Sequence, residues 1–174
     1  MSAAYLLETP RMYLRQPGEG DESFVLELLN SPGWIQWIGD RGIRTPDEAA
    51  HYIRSGPQKS FRENGFGLCI LVLKSNRKCI GLCGLIKREE LPAPDLGFAL
   101  LPAYYRQGYT REAAKAVIRS ASRFPDIQEL KAIVVPENTA SVQLLLQLGF
   151  TEDGIHITPD TQERLLRFSL MLQK

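Results

Sequence analysis

The sequence predicts a single α/β domain, and three observations carry that expectation. The first is residues 95–114, Asp-Leu-Gly-Phe-Ala-Leu-Leu-Pro-Ala-Tyr-Tyr-Arg-Gln-Gly-Tyr-Thr-Arg-Glu-Ala-Ala, which read as a short apolar strand, a proline-marked turn and the start of an alanine-rich helix. The second is a pair of β-rich runs, 66–73 and 79–87, joined by the charged turn Lys74-Ser75-Asn76-Arg77 in the manner of a hairpin. The third is the C-terminal order: a strand over 129–135, a capped helix, then two closing strands over 150–157 and 164–172 around Thr158-Pro159-Asp160. Late antiparallel strands of this kind disfavour an all-parallel nucleotide-binding sheet.

The remaining elements follow in chain order. Residues 7–16 alternate enough to form an opening strand, with Leu6, Met12 and Leu14 as apolar positions, and Gly18 and Gly20 end it. Asp21 stands where it can cap a helix running through Leu29, with Phe24 and Leu28 on one face, until Ser31-Pro32-Gly33 breaks it. Trp34 and Trp37, three apart, share one face if that segment is helical, and core packing is the commoner reason for such a pair. Thr45-Pro46-Asp47-Glu48 carries a capping box with proline at the first helical position, so a helix should reach Ile53. Ser55-Gly56-Pro57 can interrupt it, residues 59–62 can resume it, and Asn64-Gly65 should end it. Residues 89–94 form a charged, proline-bearing loop, and a helix over 111–123 follows the central turn. Asn138 caps the later helix, which presents Val142, Leu145, Leu146 and Leu148 before Gly149 stops it.

Composition narrows the function. A chain of 174 residues with 44% hydrophobic content suits one domain with a sizeable core. A net charge of +1, from 21 basic and 20 acidic residues, leaves no electrostatic footprint for nucleic acid or an anionic membrane. No basic leader and no run near the ~18 apolar residues of a membrane span is present, so the expected location is the cytoplasm. Cys69, Cys79 and Cys83 are odd in number and lack paired metal spacing, which predicts free thiols. His51 lies on a charged helix and His156 has no acidic partner at a recognisable spacing, so each reads as a surface or packing residue.

Two constellations can carry chemistry. Gly108 can adopt a positive φ, so backbone N–H groups over 106–111 can converge on an anion where the next helix adds its positive dipole end. Arg106 and Arg111 add charge, while the missing Lys-Ser or Lys-Thr pair excludes a P-loop. By itself a glycine before a helix is more often a plain turn. The second is Asn138-Thr-Ala-Ser141 followed by Leu148-Gly149-Phe150, which taken alone is an N-cap, a C-cap and a core anchor.

Together, Leu-Gly-Phe, Tyr-Arg-Gln-Gly-Tyr and Glu-Ala-Ala in the first stretch and the Asn138 to Phe150 spacing in the second resemble the GNAT acetyltransferases. The nearest branch is the one that acetylates ribosomal-protein N-termini. Gly108, Tyr109, Glu112 and Ala113 match that branch; Arg106 stands in place of its earlier glycine and Thr110 in place of its small residue. The resemblance covers roughly 8–172 and implies a mixed, mostly antiparallel sheet, splayed near 95–101, with helices on both faces. It implies acetyl-CoA as cosubstrate, with no metal. Pantetheine would lie along Phe98, Ala99, Leu100 and Leu101, hydrogen-bonding the open strand edge, and the pyrophosphate on Arg106, Gln107, Gly108, Tyr109, Thr110 and Arg111. Asn138 and Ser141 would face pantetheine and thioester, with Ser141 donating to the departing thiolate. Asp153 stands where the branch carries a catalytic glutamate and, being one methylene shorter, would act as base through a bridging water. Asp95 would be a second acid beside the acceptor, and Trp34 and Trp37 would wall the acceptor site. The implied reaction is acetyl transfer to a primary amine, a protein N-terminus or a small molecule, by direct attack in a ternary complex, in a monomer or homodimer. A non-catalytic acyl-CoA sensor is the alternative.

Overall fold

The computed structural model describes residues 5–173. Its eight strands are β1 (Tyr5–Glu8), β2 (Met12–Arg15), β3 (Leu68–Leu73), β4 (Cys79–Ile86), β5 (Asp95–Leu100), β6 (Glu129–Val134), β7 (Thr151–Ile157) and β8 (Arg164–Met171). They form one sheet in the order β1-β2-β3-β4-β5-β6-β8-β7, antiparallel at every junction except β5 with β6. The helices are α1 (Glu22–Leu29), α2 (Pro32–Trp37), α3 (Pro46–Ile53), α4 (Lys59–Asn64), α5 (Tyr109–Ala121) and α6 (Thr139–Gln147).

The two faces of the sheet follow from strand alternation. On one, Ile70, Val72 and Leu82 pack with Val25 and Leu28 of α1 and Ala49 and Ile53 of α3. On the other, Leu71, Leu85, Leu96 and Leu100 pack with Ala113, Ala114 and Val117 of α5 and with Leu145 of α6. The alanines that promote helix formation also let α5 approach the sheet closely. In β5, Leu96 and Leu100 therefore face α5, while Asp95 and Ala99 face the α1–α3 side.

Beyond Asp95 the sheet opens. Six residues of β5 pair with β4, from Asp95 opposite Ile86 to Leu100 opposite Gly81, but only Asp95 pairs with β6, opposite Lys131. The expected splayed, mostly antiparallel α/β architecture is thus present.

Several elements differ from expectation. The opening strand is split, because Thr9-Pro10-Arg11 folds back into a turn in which the Thr9 amide donates to the Met12 carbonyl, while Pro10 has no N–H for a ladder. Asp21 precedes α1 but makes no side-chain cap bond. Its carboxylate instead receives both Arg15 guanidinium nitrogens at 2.7 Å and the Gly18 N–H at 2.8 Å, tying α1 to β2. The Thr45 capping box forms with both reciprocal bonds, and the Ser55-Gly56-Pro57 interruption is a π-helical turn, Arg54–Gln58, that α4 continues. The three cysteines are free, Cys69 and Cys83 facing each other across β3 and β4. His51 is exposed on α3, whereas His156 is buried with its Nε2 unpartnered among the described residues. No described helix is long and apolar enough to cross a membrane.

Candidate functional site

The first part of the site is the turn between β5 and α5. After Leu100 the chain makes a short 3-10 turn, Pro102–Tyr104, and then takes two left-handed residues, Arg106 with φ 59° and Gly108 with φ 81°. The arginine thus adopts the backbone that the family's glycine would, at a cost of about 1 kcal/mol for a side chain in that region. Gly108 is the residue before α5, a thirteen-residue helix whose first intrahelical bond runs from the Glu112 N–H to the Gly108 carbonyl at 3.1 Å. The amides of Tyr109, Thr110 and Arg111 in the first turn have no helical acceptor and lie at the positive end of the dipole. The Arg106 and Arg111 side chains are exposed and in no ion pair among the described residues. Left-handed turn, orphan amides and free guanidinium groups fit a diphosphate.

The second part is the open edge of β5. Lys131 N–H bonds the Pro94 carbonyl on the β6 side, and Leu101 N–H bonds the Ile80 carbonyl on the β4 side. By alternation, the N–H and C=O of Phe98 and Leu100 point into the gap left by β6, where an extended amide-bearing chain can pair with them. Asn138 accepts from the Ser141 N–H at 3.2 Å as the N-cap of α6. The Ser141 hydroxyl, half-buried, makes no hydrogen bond of its own to the helix or elsewhere among the described residues.

The third part is a row of charges on the α1–α3 side of the split. Asp95 is 2% exposed and receives the Arg88 Nε at 3.1 and 3.2 Å on its two oxygens. Burial pushes its carboxyl up to about 6, with Arg88 opposing that shift. Asp153 lies in a different state: Lys131 Nζ reaches one oxygen at 2.7 Å and Arg167 Nε the other at 2.7 Å. Burial raises its carboxyl, but those two hydrogen bonds and charges outweigh it and hold it below the usual range. Lys131 also donates to Glu129 at 2.6 Å, and although burial lowers its ammonium, the two carboxylates leave it raised.

Phe98 to Leu100 form the open edge of β5 with Leu101 just after it, the 106–111 turn leads from that strand into α5, Asn138 and Ser141 open the helix that follows β6, and Asp95 stands at the β5–β6 vertex. Asp153 is nearby, with one oxygen on Lys131 Nζ and the other on Arg167 Nε. Trp34 is a core residue on the α1–α3 side, its indole Nε1 unpartnered among the described residues, whereas Trp37 is half-buried. Sequence reasoning missed Arg88, Lys131, Arg167 and Arg11, whose partners lie 7, 22, 14 and 101 residues away. No local pattern marks such pairs.

Comparison with known proteins agrees with this geometry. Residues 11–151 match the acetyltransferase (GNAT) domain family. The N-acetyltransferase p20 of Bacillus licheniformis, itself uncharacterised, is 30% identical over 151 residues, 86% of this chain and 84% of that protein. RimL, a ribosomal L7/L12 α-N-protein acetyltransferase solved in complex with coenzyme A, superposes with a TM-score of 0.82 at 14% identity over 97% of this chain and 98% of that one. The spermidine N-acetyltransferase of Vibrio cholerae, in complex with CoA and spermine, superposes with a TM-score of 0.74 at 18% identity over 92% and 95% of the two chains. At those identities the structural likeness establishes the fold, while the domain match spans most of the sequence. The chain belongs to the GNAT acetyltransferase domain family, and with it to the acetyl-CoA-dependent acetyltransferases.

Proposed function

We propose that the protein transfers the acetyl group of acetyl-CoA to a primary amine by direct attack within a ternary complex, with Asp95 as the base and Asp153 as a structural ion. The observation that carries this reading is the single β5–β6 pair, Asp95 with Lys131, beyond which β5 offers the free backbone groups of Phe98 and Leu100. Pantetheine pairs with that edge, and the diphosphate sits on the 106–111 turn. Trp37 and Asp95 border the acceptor. The amine nitrogen attacks the thioester carbonyl carbon, the negative charge on its oxygen is met by a backbone N–H of β5, and the C–S bond breaks. The departing thiolate accepts a hydrogen bond from Ser141, whose hydroxyl has no competing partner on the helix.

The ammonium proton leaves toward Asp95. A base with pKa about 6 is ionised at neutral pH and still closer to an amine's pKa than an ordinary carboxylate, which is the condition for efficient general base work. Phe98 N–H is three residues, roughly 10 Å, along the strand from Asp95, a span that the amine and a water bridge can cover. Asp153, depressed by two cations, is the poorer base.

The acceptor class is narrowed by charge. Asp95, Glu129 and Asp153 lie on the α1–α3 face around Lys131 and each pairs with a cation, so among the described residues this cluster offers a polycation such as spermine no unpaired carboxylate. A single amine of pKa about 8, that of a protein N-terminus, fits better and requires less of its base. Thiol release from acetyl-CoA over a panel of N-terminal peptides and polyamines, with mass spectrometry of the acceptor, decides the matter. Thiol appearing with N-acetyl peptide is expected; binding without thiol above the hydrolysis blank overturns the catalytic reading.

A further inference from the structure

Arg11 projects from the β1–β2 turn onto the 106–111 loop. Its backbone N–H donates to Glu112 Oε1 at 2.8 Å, its Nε to Glu112 Oε2 at 2.7 Å, and its Nη1 to the Gln107 carbonyl at 2.9 Å. Its guanidinium carbon lies 4.2 Å from the centroid of the Tyr109 ring. A Cβ added at Gly108 would stand 3.3 Å from Arg11 Nη2, so the arginine is packed directly behind the glycine. One side chain thereby holds residues 107, 109 and 112, and the turn that carries it is itself pinned by Thr9, which donates to the Met12 carbonyl and accepts from the Met12 N–H.

Two consequences follow for an anion on the loop. The Gln107 carbonyl and the Gly108 N–H belong to one trans peptide and point in opposite directions. Holding the carbonyl on Arg11 turns the Gly108 amide outward, alongside the orphan amides of α5. The second concerns Glu112, a carboxylate in the first turn of α5 that would repel a phosphate at the same helix end. Its charge is met by the Arg11 backbone N–H on one oxygen and by Nε on the other while Nη1 holds the Gln107 carbonyl, and a lysine's single ammonium cannot serve both Glu112 and Gln107 in that planar geometry.

We propose that Arg11 is a positioning residue for the diphosphate of acetyl-CoA: acting through Gln107 and Glu112 and without touching the ligand, it aims the Gly108 amide and cancels the nearest negative charge. The proposal rests on the reading that the diphosphate occupies this loop. Its mark is selectivity for the phosphate-bearing part of the cosubstrate, which general damage to the fold would not produce.

The test is calorimetric binding of CoA and of pantetheine, which lacks the diphosphate, to the wild-type protein, Arg11→Met and Arg11→Lys, with KM and kcat for acetyl-CoA and S-acetylpantetheine. Arg11→Met should weaken CoA roughly tenfold or more while pantetheine stays within about twofold, and kcat should be largely kept. Arg11→Lys should recover little of the loss, and it carries the same comparison should Arg11→Met not fold. Equal losses on both ligands, no loss on CoA, or full recovery with lysine would overturn the proposal. Wild-type protein that binds CoA no better than pantetheine would instead remove the diphosphate site, and the role of Arg11 with it.

Discussion

Asp95 and Asp153 are the same residue type on the same side of the split sheet, and both border Lys131, yet they are in opposite electrostatic states. Asp95 sits inside the β5–β6 vertex, where loss of water raises its carboxyl to about 6 and one arginine only partly restores the charged form. Asp153 lies on edge strand β7, 24% exposed, and two cations hold it ionised. Resemblance to the family directs attention to Asp153, whereas the mechanism we propose gives the proton-accepting role to Asp95. The contrast teaches that a motif position names a residue and its surroundings decide its chemistry.

Substitutions can break this contrast. The largest effect is expected for Asp95→Asn, which should lower kcat/KM at neutral pH on the order of a hundredfold, the range of a lost general base. Steady-state kinetics with the best peptide acceptor measures it. Ser141→Ala should follow, reducing kcat roughly ten- to a hundredfold, as for one hydrogen bond to developing charge, while the Kd for CoA is kept. A loss confined to Kd would make Ser141 a binding residue only. Asp153→Asn should reverse the pattern of Asp95→Asn: activity within a few-fold, but stability lower by about 2 kcal/mol, because Lys131 keeps only Glu129 and Arg167 loses its partner. Denaturant unfolding reads this directly.

The legibility of the chain divides along similar lines. The hairpin at 66–87, the strand–turn–helix at Asp95, the Thr45 capping box and the Asn138 cap were all visible, because each is a local pattern of period, cap or turn residue. The 106–111 segment was legible as a turn into a helix, and the left-handed Arg106 shows that a turn can form at a residue that does not favour it. What sequence did not disclose is long-range. Residues 7–16 read as one strand, and nothing near Pro10 pointed to Glu112; Asp21 looked like a cap until Arg15 claimed its carboxylate; and Trp34 and Trp37 had the same spacing signal for a core and for a wall. Burial and ion pairing are properties of the assembled sheet.

The smallest expected effect is on stability against pH, and it sharpens the comparison by sign. Asp95 has a raised folded-state value, so its contribution is full below the unfolded pKa near 4 and is lost as pH rises through about 6. Asp153 is depressed, so its contribution is present at neutral pH and is lost as pH falls through its lowered value. Thermal melts between pH 3 and 7, on the order of a few degrees apart, should therefore rise with acidification in the upper half of that window for the wild type, and Asp95→Asn should abolish that rise.

The most direct measurement is the pH dependence of kcat/KM in three proteins, wild type, Asp95→Asn and Asp153→Asn, with one N-terminal peptide as acceptor. An acidic limb near pH 6 is expected in the wild type and in Asp153→Asn and should be missing in Asp95→Asn, leaving only the limb of the amine itself. A limb that persists in Asp95→Asn, or that disappears in Asp153→Asn, would return the base to β7 and contradict the assignment made from the split.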